Sequence, residues 1–130
     1  MKFNDLNNRE ELKKEFEKLE TSESALNMII LSLILSSINI NKSKIEILDK
    51  INKTNYADKL QNSKNIEKLS NELRIIGSSI SWNLARNTLK DRRKDIYKCN
   101  TLEVKDKFNY ANKDYILATL YFLAAIIDCC

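Results

Sequence analysis

Residues 65–98 read NIEKLSNELRIIGSSISWNLARNTLKDRRKDIYK, with no proline and one glycine, Gly77. Ile66, Leu69, Leu73, Ile76, Ile80 and Leu84 recur at three- and four-residue steps, the period of an apolar stripe on a helix. The spacing predicts one long helix near residues 64–98. At 100° per residue, Trp82, Ala85, Leu89 and Ile96 fall on a side rotated by roughly 160° from that stripe, so this helix changes partners along its length. Unbroken, it would reach roughly 50 Å. That predicts either a bend near residues 77–79 or a projecting C-terminal half.

Working outward, charge marks the rest of the organisation. Residues 24–41, 75–85 and 115–127 carry no ionisable acid or base from the Asp, Glu, Lys, Arg set. In water such runs are usually buried on most sides, and the three are expected to form the core. A first amphipathic helix should start near residues 5–8, where Asn7 and Asn8 each precede a glutamate by three residues, and bury Leu12, Phe16 and Leu19. Thr21 or Ser22 would cap a second helix, ALNMIILSLILSSINI at residues 25–40. Ser43 and Glu46, in S-x-x-E spacing, would open a third region that restarts at Thr54. After a break at residues 99–101, residues 102–108 read as a short helix or an extended link, and a last helix, buried nearly all round, begins after Asn112. The chain is therefore expected to be one all-α domain, residues 1–130, built as a bundle of about five helices.

With 43% hydrophobic and 31% charged residues, the composition of this 130-residue chain excludes disorder and turn-rich β architectures. Asn, Lys and Ile occur 16, 17 and 16 times, the bias of an AT-rich genome, so Lys and Asn abundance is not by itself evidence of a polyanionic partner. The net charge of +4 is equally undemanding. Histidine is absent, which removes catalytic triads, Cys–His dyads and two-histidine metal sites; with one glycine there is no P-loop and no dinucleotide fingerprint. Cys99, Cys129 and Cys130 lack metal-ligand spacing and read as unpaired thiols. The expectation is a non-enzymatic protein without metal or cofactor. The charged N-terminal segment lacks a secretory h-region, which points to the cytoplasm. The apolar runs at residues 25–40 and 115–127 fall short of the about 20 residues of a bilayer span, so core helices fit them better than a membrane-associated protein does.

The most specific polar feature is RNTLKDRRKDIYK, residues 86–98, with six basic residues against Asp91 and Asp95. On a helix Arg86, Lys90, Arg93, Lys94 and Tyr97 share one broad side, a stripe suited to phosphate or carboxylate groups. Trp82 stands one turn from Arg86, and that pairing of residue types is enriched at protein interfaces. Three functions follow as expectations. The first is association with a protein partner or with a second copy as a homodimer, through Trp82, Arg86, Leu89 and Arg93. The second is binding of nucleic acid or another polyanion through Arg86, Lys90, Arg93, Lys94 and Tyr97. The third is a membrane-associated helical protein. In size and layout the chain is similar to the small helical-bundle proteins that bacteria and mobile elements use as immunity factors, antitoxins and regulators.

Overall fold

A computed structural model describes residues 2–60 and 62–130. They form three helices: α1, Lys2–Asn52; α2, Ser63–Lys98; and α3, Leu102–Asp128, with a 3-10 turn at Ala57–Lys59 between the first two. No strand occurs among the described residues. The all-α class stands, but the count is three and not about five.

The difference lies in what the hydroxyl side chains do. Thr21 was expected to cap a helix, but its hydroxyl donates to the Glu17 carbonyl at 2.8 Å. Ser43 likewise donates to the Asn39 carbonyl at 3.2 Å. Both sit mid-helix with their hydroxyls bonded back one turn, a use that competes with capping. No Gly or Pro interrupts the segment, so three expected helices fuse into α1, about 77 Å long at 1.5 Å per residue. At the far end Thr101, not Asn112, caps α3 by accepting from the Val104 amide, which merges residues 102–108 into the last helix. α2 begins under the Asn62 side chain, which accepts from the Lys64 amide, and passes through residues 77–79 as continuous helix.

α1 ends by backbone geometry. Lys53 takes a left-handed φ of 57°, and the Thr54 amide returns to the Asp49 carbonyl at 3.0 Å, closing a Schellman-type turn. The buried Asp49 carboxylate then accepts from the Thr54 hydroxyl and, at 2.7 Å, from the Ala57 amide. These hydrogen bonds hold its pKa below the ordinary aspartate value, the Thr54 hydroxyl being the largest cause and the Ala57 amide the next.

α2 packs against both other helices, while the backbones of α1 and α3 stay more than 8 Å apart, Cα to Cα, among the described residues. The α1/α2 seam is made of small residues. Ala25, Ser32, Ser70 and Gly77 are buried there, and the largest fully buried side chains of the described residues are Ser32, Ser70 and, on the side of α2 nearer α3, Ser78. Ser70 donates to the Ser32 carbonyl at 2.7 Å and, with its only proton so used, accepts from the Ser36 hydroxyl at 2.7 Å. A Cβ on Gly77 would stand 2.8 Å from the Ala25 carbonyl oxygen and 3.0 Å from the Ile29 side chain.

Among the described residues only the charge-free run of α2 packs on parts of the other two, and the three do not form the expected core. Leu31, Leu33, Ile34 and Ile38 of α1 and Ile116, Leu117, Leu120, Leu123 and Ile127 of α3 remain exposed. Among the described residues α3 packs on α2 alone, so one face is covered and the others are not. A compact monomer of 15.2 kDa exposes about 7,100 Å². This chain exposes 10449 Å².

Two outcomes test this construction. Gly77→Val should lower stability by about 1–3 kcal/mol, read from the denaturant midpoint, because the added carbons must displace the α1 backbone; an unchanged midpoint would place α1 farther away. For Asp49 the folded pKa is depressed, so its contribution is present at neutral pH and declines as pH falls from the usual value of about 3.9 toward the folded one. Asp49→Asn should flatten that acid-side decline and speed hydrogen exchange of the Ala57 amide at pH 7. Exchange equal to that of the parent would mean the carboxylate does not hold the turn.

Candidate association surface

The register follows from three contacts on each side of α2. Ala25 lies at Gly77, Ser32 and Ser36 at Ser70, and Lys18 reaches Asp91 at 3.5 Å. On the other side Arg74 pairs with Asp128 at 2.9 Å, the Trp82 indole N–H donates to Thr119 at 3.1 Å, and Cys129 approaches the Asn71 carbonyl. At 100° per residue, the two sets of α2 positions are roughly 100° apart around its axis. α1, α2 and α3 thus occupy three corners of a square, and the fourth is vacant.

The vacant corner is a groove between α1 and α3 floored by α2. One section, about 380 Å³, is lined by Ile29, Ser78, Ser81, Leu117, Ala118 and Tyr121. The next section is polar and includes Ser36, Asn39, Ile40, Arg74 and Asp128. There Asn39 Oδ1 and Arg74 Nε are buried without a hydrogen-bond partner. Among the described residues, no group of three or more His, Cys, Asp or Glu side chains lies close enough to share a metal ion.

The residues singled out from the sequence divide into two groups. Trp82 is committed to α3. Its ring stands 5.8 Å from Phe122 and 6.3 Å from Tyr115, and the Arg86 guanidinium lies over it at 5.5 Å. Leu89 is 7% exposed, inside the chain. Neither offers the open apolar surface that the sequence assigned to it, because both face α3. Arg86, Lys90, Arg93 and Lys94 are exposed, and Tyr97 is 84% exposed. The acids of the same segment turn elsewhere: Asp91 to Lys18, Asp95 to Arg92 at 3.5 Å. α1 therefore lies against the acidic side of the segment, and Lys90, Arg93 and Lys94 make no ion pair among the described residues.

The surface that sequence reading missed is on α1. Leu12, Leu19, Leu26, Leu33, Ile40 and Ile47 recur every seven residues, and each is between 55% and 65% exposed. This row lies one residue beyond Lys18, Ala25, Ser32 and Asn39, the row that meets α2, and so is rotated by about 100° toward the groove. Ile40 is itself a groove residue. The heptad is legible in the sequence, but dividing the segment at Thr21 and Ser43 splits it across three helices.

No family model, curated protein or solved structure matches the chain.

Proposed function

We propose that this is a non-enzymatic helical protein of the aqueous cytoplasm that works by association, its apolar helix faces being covered by another polypeptide. The observation that carries this reading is the surface: about 3,300 Å² more than a compact monomer of the same mass exposes. Obligate interfaces bury about 2,000–5,000 Å² in total, or about 1,000–2,500 Å² on each partner, which the excess on this one chain is large enough to supply. Patches of this size on soluble chains mark association sites.

A membrane could also cover apolar helices, and α1 is long and apolar enough to cross one, with a window of mean hydropathy 1.5. The register argues against it. With Ala25 at Gly77 and Ser32 at Ser70, the charge-free run of α1, residues 24–41, stands beside about residues 63–80 of α2. That part of α2 carries Lys64, Glu67, Lys68, Glu72 and Arg74. A bilayer centred on α1 would hold all five in hydrocarbon, at a cost of about 2.5 kcal/mol or more for each charge near its centre.

The exposed stripe of Arg86, Lys90, Arg93 and Lys94 supports a second reading, binding of nucleic acid or another polyanion on the side of α2 turned away from α1.

Sedimentation equilibrium tests the first reading. The mass should exceed 15.2 kDa, and the melting temperature should rise with protein concentration, because association stabilises by mass action. A monomer at every concentration that binds no hydrophobic dye would overturn it. For the second, duplex binding should weaken with salt, and Arg93→Ala with Lys94→Ala should lower the log–log slope by about 0.9 for each phosphate contact removed. A slope unchanged by both substitutions would make the stripe ordinary surface.

A further inference from the structure

Taking association as its premise, the heptad row says what covers it. We propose that α1 of a second copy of this chain docks antiparallel along Leu12, Leu19, Leu26, Leu33, Ile40 and Ile47, pairing Leu12 with Ile47, Leu19 with Ile40 and Leu26 with Leu33.

The first argument is period. A seven-residue row drifts by about 20° per heptad around a straight helix, so only a long partner with the same period can follow it. The row spans residues 12–47, about 53 Å, and a second α1, at 51 residues, matches both its length and its period.

Charge sets the orientation. Residues 9–23 hold six glutamates against Arg9, Lys13, Lys14 and Lys18; residues 42–53 hold four lysines against Glu46 and Asp49. One end of α1 is net acidic and the other net basic. Antiparallel pairing brings the acidic end to the basic one, with Glu15 level with Lys44 and Lys13 level with Glu46. Parallel pairing would align like with like along the whole seam.

The third argument is clearance. Asp128 ends α3 at Arg74, less than one turn from Gly77, which meets Ala25 and Ile29. α3 therefore stops level with about residue 30 of α1. That is also the midpoint of the pairing, between Leu26 and Leu33. Each copy's α3 then lies over a different half of the paired α1 helices, so the two do not collide.

Disulfide trapping in the full chain tests this. With Cys99, Cys129 and Cys130 changed to Ser, chains carrying Leu19→Cys and chains carrying Ile40→Cys are mixed and oxidised in air. The 19–40 heterodisulfide should dominate over either homodisulfide. A dominant 19–19 link, or no link in a dimeric protein, overturns the proposal while leaving the association reading intact. Leu26→Glu with Leu33→Glu should raise the dimer dissociation constant by about a hundredfold or more with the helical circular dichroism retained, since both positions are exposed in the single chain. A dimer that tolerates both glutamates also overturns the proposal. If the parent chain is monomeric throughout, the measured mass shows that both readings fail.

Discussion

Everything in this molecule depends on how closely α1 approaches α2. The backbone oxygen of Ala25 stands where a Cβ of Gly77 would be 2.8 Å away, and the Ser36 and Ser70 hydroxyls, ending on the Ser32 backbone carbonyl, close the next two turns. At its closest points this seam admits only small side chains, with Met28 and Ile29 flanking Gly77. Each serine can be buried there because its hydroxyl has a carbonyl or a second hydroxyl to bond, Ser78 bonding to the Arg74 carbonyl of its own helix. The consequence is geometric. When glycine, alanine and serine face inward, the leucines and isoleucines of the same run face outward. A soluble bundle normally does the reverse, and the surplus of exposed apolar surface is the direct result of this choice.

The same constraint explains what was legible in the sequence. The long helix around residues 65–98 was readable because its three- and four-residue periodicity is local and it holds no Pro and a single Gly. Its caps were not. Thr21 and Ser43 offer the same hydroxyl to a helix start and to a carbonyl one turn back, and the sequence does not distinguish the two uses. The count of helices therefore came out too high. The expected burial failed for a different reason. A charge-free run implies burial only where neighbours surround it, but the number of neighbours is a tertiary fact, and α1 and α3 each have α2 as their one neighbouring α-helix among the described residues.

Site residues follow the same division. The basic stripe was readable from helical angles alone, and the structure places Arg86, Lys90, Arg93 and Lys94 on the exposed side, with Asp91 and Asp95 turned away toward Lys18 and Arg92. Trp82 and Leu89 were not, because a second apolar face on α2 fits an external partner and an internal one equally well. α3 is the internal one, bonding the indole N–H through Thr119 and stacking Phe122 on the ring.

The three-cornered arrangement also has an electrostatic logic. Along the groove the polar section contains Arg74, neutralised by Asp128 yet left with a buried Nε unbonded, and Asn39 with a buried carbonyl oxygen unbonded. Buried polar atoms in this state destabilise a fold by roughly 1–3 kcal/mol each. A fully apolar groove would accept any greasy helix in any register. The polar section that holds Asn39 and Arg74 spans about two turns of α2 and would favour an occupant with polar side chains over that stretch. Specificity of this kind is how a single polar position sets register in helical assemblies. In the proposed pairing an apolar row would supply the attraction, the acidic and basic ends of α1 the direction, and the polar section of the groove the position. All three are carried by the first two helices, and α3, by ending at Arg74, leaves them room to act.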